Sequence, residues 1–556
     1  MSPNPDTTVP TGRKKTIAHR SSVIGDSARP TAAMRHASQN TPTPDGATEN
    51  SADSLLKILL AKREAGFRGR GKYHPPTVPD LEGLPEPPNG WIWASPEQLS
   101  NSAPYALGIG PFGSNLKVSD YKESGTPLIF VRNIRAEDFS LVAKFVAEEK
   151  ANELAAHTAE GGDILITKMG EPPGDAAFYP VGAPTAVITA DCIKWRLAED
   201  LRVPKFFVYA IRSRLVQQQI QERTRGVAQK KISLERFRDL AIPLPPLPEQ
   251  RRIVAEIEKQ FTRLEAGVAA LRRVQANLKR YRAAVLKAAC EGQLVPTDAE
   301  LQKSAGKGQK GFESGEQLLK RILAERRQHW TGRGQYKEPA APDTANLPPL
   351  PEGWMWVSVE QLVTEPLCNG ISIKGSDNPP GVRALRLNAM SHSGFDYAEA
   401  RYLPLADADV DDLWIQEGDF FMSRGNGSLH LVGRGTSAQK PPQPTIFPDT
   451  MIRLRWNKSI RKAGWVRALW PSRVVRSQIE QKIKTTAGIY KIAQPQVEQI
   501  TIPLPPLAEQ TRIVAEVERR LSVVEELESV VSANLQRATR LRQSILQKAF
   551  TGELVG

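Results

Sequence analysis

A chain of 556 residues is too long for one hydrophobic core, so roughly three or four domains are expected. No run approaches the roughly 18 to 20 apolar residues of a membrane helix, which excludes a spanning helix and points to a cytoplasmic protein with no membrane partner. Seventy-five basic against sixty-one acidic residues leave +14, favouring a polyanionic partner, with nucleic acid ahead of an acidic membrane surface. Cys192, Cys290 and Cys368 are isolated from one another and from any His at ligand spacing, so neither a disulfide framework nor a zinc site is supported, and a reducing compartment fits.

Residues 1–50 are rich in Ser, Thr and Pro without apolar periodicity or a signal-peptide h-region, and read as a disordered tail whose GRKK cluster is solvated. Residues 51–88 hold a short helix, LLKILLAKRE from Leu55, and a Gly-Arg-Gly turn at Gly69. A mixed α/β unit follows over 89–248, opening on GWIW, with short strands in PLIFVRNI (127–134) and DILIT (163–167) between Gly and Pro turns. It closes on the Pro-rich strut IPLPPLPEQ. Residues 249–292 form a long helix, with Ile257, Phe261, Leu264, Val268, Leu271, Leu278 and Val285 stepping by threes and fours. Pro248 suits its first turn and Gly292 its C-cap.

After a linker the same phrases return. Residues 293–351 contain LLKRILAERR and a second Gly-Arg-Gly at Gly332, offset by 263 from the first copies. The unit 352–508 opens on GWMW and carries strands in RALRLNAM (383–390) and DFFMS (419–423). Residues 509–552 repeat the long helix, with its seam at Val517, Leu521, Val524, Leu527, Val531, Leu535, Leu541 and Ile545 and its C-cap at Gly552. The two strut regions, AIPLPPLPEQRRIVAEIE and TIPLPPLAEQTRIVAEVE, agree at fourteen of eighteen positions. The chain is a tandem duplication in which the frame repeats and the intervening 140-odd residues hardly resemble each other. Each long helix is about forty residues, or ~60 Å. Two apolar seams in one chain bury each other most simply as an antiparallel pair.

The paired struts, the Gly-Trp-x-Trp starts, the GDILITKMG and GDFFMSRGNG loops and the GQLV and GELV helix ends resemble the specificity subunits of type I restriction-modification systems over residues 52–556. That resemblance implies a mixed α/β fold with two target-recognition domains in tandem pseudo-repeat, separated by an antiparallel pair of long coiled-coil helices. It implies that each domain reads one half of a bipartite, asymmetric site on double-stranded DNA and that the helices set the gap. It implies docking of two adenine methyltransferase subunits and, for cleavage, motor-endonuclease subunits. S-adenosylmethionine, ATP and Mg would belong to those partners and none to this chain. The seam positions Ile257, Leu264, Leu271, Val517, Val524 and Leu535 are the candidate subunit contacts.

Residue chemistry also points to DNA. Lys168 follows a strand in the first loop, and Arg424, Asn426 and Ser428 occupy the corresponding loop of the second. Arg or Lys on guanine and Asn on adenine match major-groove edges, though such loops can equally be turns with solvated charges. Arg132 with Asn133, and Arg386 with Asn388, are expected in matching strands, as DNA contacts or structural pairs. RTRGVAQKK, with Arg223, Arg225, Lys230 and Lys231, and KIKTTAGIYK, with Lys482 and Lys491, read as phosphate grips. Trp91 with Trp93, and Trp354 with Trp356, read as core. Arg251, Arg252, Arg263, Arg272, Arg273, Lys279 and Arg280 read as a solvated helix flank, or alternatively a dock for catalytic subunits.

No catalytic constellation is found. GIGPFG (108–113) fits G-x-G-x-x-G but contains Pro111, follows no clear strand and opens no helix. NPPG (378–381) has glycine where an aromatic should stack a flipped base. Asp120 and Lys122 have no Pro-Asp partner nearer than Pro79-Asp80, and no Walker lysine motif occurs. The alternative is a coiled-coil scaffold with protein-binding heads. A recognition domain fused to its own methyltransferase would need more chain than is present.

Overall fold

The computed structural model describes residues 51–68, 72–141, 143–201, 203–225, 230–305, 312–330, 335–391, 394–486 and 488–555. The tail 1–50 and both Gly-Arg-Gly turns lie outside the described residues.

Each half opens on a short helix, Ala52–Ala65 or Gly315–Gln328, capped by Ser51 or Ser314. An arginine from its last turn, Arg63 or Arg326, donates to the carbonyl of Glu97 or Glu360, which ties the helix to the start of its unit. The Gly-Trp-x-Trp strand then pairs antiparallel with the strut, Ile92–Ala94 against Ile242–Leu244 and Met355–Ser358 against Thr501–Leu504. Trp91 and Trp354 are buried and Trp93 and Trp356 part-buried. A strut with consecutive prolines cannot complete a ladder with its own N–H groups. Its carbonyls still need donors, and Gln250 and Gln510 supply one in each half, the side-chain amide donating to the carbonyl of Pro245 or Pro505, at 2.9 and 2.8 Å. The repeated Pro-x-x-x-x-Gln spacing is thereby explained.

The stretches between these frames, whose sequences hardly match, share one sheet. In the first half its order is Leu107–Ile109, Cys192–Trp195, Ile164–Thr167, Ala176–Phe178. In the second it is Cys368–Asn369, Met451–Leu454, Phe420–Ser423, Gly435–Ser437, the same order and the same antiparallel pairing. The Gly-Asp entering the third strand in both halves has a common purpose: Asp163 holds Arg196 and Asp419 holds Arg455, each at 2.8 Å across the sheet. A second common device is a glutamine on a helix of each unit. Gln219 makes two hydrogen bonds to the backbone of Ala241, both 2.9 Å, and Gln478 makes the same pair to Thr501, at 2.7 and 2.8 Å. Replacing Gln219 by Leu leaves the Ala241 N–H and C=O buried without partners, so a loss of about 1–3 kcal/mol for each group is expected in chemical denaturation. An unchanged midpoint would mean that the strut is held by packing alone.

The structure alters several sequence expectations. GIGPFG overlaps a strand, Leu107–Ile109, whose last two residues are its first two, and Gly110 is required because a Cβ there would meet the backbone of Thr189. The strand in PLIFVRNI ends at Ile129, and the chain turns into a helix over Val131–Ala136. In the second half the strand is Val382–Leu385, followed by a 3-10 turn at Leu387–Ala389. Arg132, Asn133, Arg386 and Asn388 therefore lie just past matching strands rather than within them. The linker carries an extra helix, Asp298–Ala305.

The long helices span Leu247–Cys290 and Leu507–Phe550, 44 residues each, and turn out at Gly292 and Gly552 with positive φ. They lie side by side in opposite directions: Arg282 reaches Glu528 at 3.1 Å, while Arg542 reaches Glu265 at 3.4 Å and stacks on Phe261. Leu278, Val524 and Val531 form a buried cluster between them, flanked by Leu271 and Leu535. Their ends cross over. Val285, Leu286, Ala289 and Cys290 of the first long helix join the core of the second half. Ile545, Leu546, Ala549 and Phe550 of the second join the core of the first.

This packing corrects the candidate subunit contacts. Ile257 and Val517 are buried in the cores of their own halves. Val524 is buried in the helix-helix seam, Leu271 and Leu535 pack against it part-buried, and Leu264 is half-buried. An apolar seam is covered by the nearest apolar surface of the same chain, so Ile257, Val517 and Val524 are taken up within this chain and Leu264, Leu271 and Leu535 keep only part of their surface open.

Candidate nucleic-acid interface

Two basic segments of each half, some sixty residues apart in sequence, are joined by backbone hydrogen bonds into one arm. In the first half Lys168 continues the strand Ile164–Thr167, and its carbonyl accepts from Ile232 N–H at 3.0 Å. Met169 pairs with Lys231, Gly170 N–H donates to Lys230, and Arg225 pairs with Lys231 from the other side. In the second half Arg424 continues the strand Phe420–Ser423, and its carbonyl accepts from Ile492 N–H at 3.0 Å. Gly425 and Asn426 pair with Lys491 and Tyr490, which pair in turn with Lys484 and Thr485. Lys168 thus corresponds to Arg424, Lys231 to Lys491 and Arg225 to Lys484.

Arg225, Lys230, Lys231, Lys484 and Lys491 are exposed on these arms. Extended strands place successive side chains on alternate faces at about 3.3 Å per residue, so a three-stranded ribbon of this kind offers cations at spacings comparable to successive phosphates. Lys168 sits nearer the body of the unit. Burial lowers its pKa, nearby Asp191 opposes that shift, and Lys231 adds to it; the ammonium donates to the Ala190 carbonyl at 3.3 Å and lies over the Phe112 ring. A phosphate or base acceptor would relieve what burial costs this cation. Arg424 is half-buried and donates to the Asp449 carbonyl at 3.2 Å. Asn426 accepts from Ser428 N–H at 3.0 Å, closing a tight loop, and is half-buried.

Other predicted residues are occupied within the fold. Asn133 is 3% exposed; its Oδ1 accepts from Phe130 N–H at 3.0 Å, and its amide donates to the carbonyls of Leu141 and Asp138. Both amide hydrogens are spent on the loop, so Asn133 is corrected to a structural residue. Arg223 is likewise corrected: it pairs with Asp80 at 3.2 Å and Asp239 at 3.6 Å, joining the unit to the segment before it. Arg386 pairs with Asp377 and with the Ala400 carbonyl, and Asn388 with Glu399 at 2.8 Å. Lys482 reaches Gln499 at 3.4 Å. Arg132 remains exposed, stacked on Phe130 at 4.5 Å. Sequence reasoning missed Lys484 and Arg135. Lys484 had a signal, since it sits two residues after Lys482 in the same basic run. Arg135 had none: it pairs with Asp175 at 2.8 Å and lies against Gly170, which has no room for a Cβ, so it braces the loop from below.

Among the described residues no group of three or more His, Cys, Asp or Glu could hold a metal ion, and no helix is long and apolar enough to cross a membrane.

Residues 116–270 match the family model for the type I restriction modification DNA specificity domain. The EcoKI specificity subunit of Escherichia coli (strain K12) is 26% identical over 479 residues, covering 84% of this chain and 90% of that protein. The EcoAI specificity subunit of Escherichia coli is 21% identical over 565 residues, 91% of each chain. Over most of its length the chain is similar to the specificity subunits of type I restriction-modification systems. A solved chain from a study of complex assembly and conformational transition in the type I R-M system has a TM-score of 0.53 at 19% identity, covering 84% of this chain and 100% of that one, a likeness in fold. These likenesses support the sequence reading of a DNA-specificity role and do not favour the scaffold alternative.

Proposed function

We propose that residues 89–248 and 352–508 are two recognition domains, each reading one half of a bipartite, asymmetric DNA site, and that the helices 249–292 and 509–552 act as a coiled-coil ruler that sets the gap. The observation that carries this reading is the paired arm: two stretches with almost no sequence in common build the same basic ribbon at the same place on the same sheet. A shared cationic ribbon supplies phosphate contacts common to both halves, and the side chains that differ between them supply sequence discrimination.

In the proposed complex the helix pair docks two methyltransferase subunits, with motor-endonuclease subunits joining for cleavage in the cytoplasm. Val523, Leu527 and Val530, at i, i+4 and i+7 on the second long helix, stay exposed together with Val274 and Tyr281 of the first, an apolar surface that supports docking on this rod. S-adenosylmethionine, ATP and Mg would be held by those partners.

Mapping methylated adenines in cells that express the chain with its methyltransferase partner tests the reading: one split motif with two unlike halves is expected. Exchanging residues 100–240 for the equivalent stretch of a relative should change one half only. A change in both halves, or in neither, would show that the domains do not read independently.

The arms make a separate prediction. Arg225→Ala with Lys231→Ala should weaken binding to all duplexes alike and make the log-log salt slope less steep by about 2, at roughly 0.9 for each phosphate that is no longer neutralised. An unchanged slope would remove these residues from the DNA surface.

A further inference from the structure

The first arm contains one residue that a phosphate-binding surface should exclude. Glu171 follows Gly170 on the arm that carries Lys168, Arg225, Lys230 and Lys231, and it is exposed. Among the described residues its carboxylate makes no hydrogen bond and no ion pair, despite these cations. It lines a cleft of about 440 Å³ together with Pro172, Pro173, Gln221, Thr224 and Lys230. The loop that carries it is braced: Gly170 N–H is bonded to Lys230, Gly174 N–H to Thr167, and Arg135 is locked to Asp175 beneath.

The second arm lacks the feature. Lys230 corresponds to Tyr490, so Gly170 corresponds to Asn426 and Glu171 to Gly427, which has no side chain. Groups common to both arms cannot tell one half-site from the other, whereas Glu171 is a difference at an equivalent place. A carboxylate among DNA phosphates is repelled unless it meets hydrogen-bond donors. Of the major-groove edges, cytosine presents a donor amino group alone, guanine presents acceptors, thymine an acceptor and a methyl, and adenine a donor beside an acceptor.

We propose that Glu171 is a specificity-determining residue of the first recognition domain, its carboxylate accepting from the exocyclic amino group of a cytosine in that half-site. This rests on the function proposed above and adds to it one residue, one base and one half-site.

The test uses the full chain with its methyltransferase partner, comparing wild type, Glu171→Gln and Glu171→Ala by mapping methylated adenines. Both variants should give a motif in which one C·G pair of a single half-site becomes degenerate while the other half and the gap are unchanged. On duplexes carrying T·A at that pair, wild type should bind about 5- to 150-fold more weakly than on the cognate duplex, and both variants should lose most of that ratio. An unaltered motif in both variants overturns the proposal, as does relaxation at a pair other than C·G or in both halves. Equal loss on every duplex would mark Glu171 as structural and also overturn it. If wild type itself yields no bipartite motif, the function proposed above fails and takes this assignment with it.

Discussion

Seven residues added after Leu278 and seven after Val531 should move methylation to sites whose gap is longer by about three base pairs, with both half-site sequences unchanged. The insertions fall where Leu278 packs with Val524 and Val531, and a full heptad on each helix returns the apolar positions to the same seam. Each helix gains about 10.5 Å at 1.5 Å per residue, close to three base pairs at roughly 3.4 Å. Three pairs also rotate one half-site by about a third of a turn, given roughly 10.5 pairs per turn, so the complex must twist the DNA or itself, at a cost of about 1–6 kcal/mol. Reduced methylation at the longer gap is therefore part of the expected result. Continued methylation at the original gap would show that the helix pair does not set the spacing.

Phe550→Ala should destabilise the first half of the chain by about 3–5 kcal/mol although the residue is the last of the final helix. Its ring is 3% exposed and lies 5.3 Å from that of Phe206 in the first core, while Ile545, Leu546 and Ala549 fill the same cavity beside it. Leu286→Ala, in the corresponding turn of the first long helix, should instead cost the second half about 2–5 kcal/mol, because Leu286 lies in the second core. Limited proteolysis would separate the two: Phe550→Ala should expose cleavage within 89–248, and Leu286→Ala within 352–508. Destabilisation confined to the half that precedes each helix in sequence would contradict the crossed packing. The same crossing explains why the two domains hold a defined relation, since each is closed by a helix that starts in the other.

The sequence by itself determined the duplication and the two long helices with their caps, and its resemblance pointed to a DNA-specificity role. These rest on local signals or on repeated words: the prolines that force an extended strut, the glutamine five residues later that satisfies its carbonyl, the heptad spacing, and glycine at the positive-φ exits Gly292 and Gly552. It pointed to Lys168, Arg424 and the basic runs separately. It could not join them, because the hydrogen bonds that tie Lys168 to Ile232 beside Lys231, and Arg424 to Ile492 beside Lys491, cross more than sixty residues and are made by backbone atoms, which carry no residue code. The same limit hid the common sheet: a strand needs only apolar residues on its buried faces, so Ile164–Thr167 and Phe420–Ser423 occupy one place with no shared residue type beyond their apolar character and a final hydroxyl. Tertiary structure alone decided which polar residues were free. Asn133 and Arg223 have the side chains of DNA readers, but neighbouring carbonyls and carboxylates consume their donors. Glu171, which composition would assign to solvent, has no hydrogen bond or ion pair among the described residues on a cationic arm, because burial and pairing depend on what the fold brings near, and the identity of a residue cannot state that.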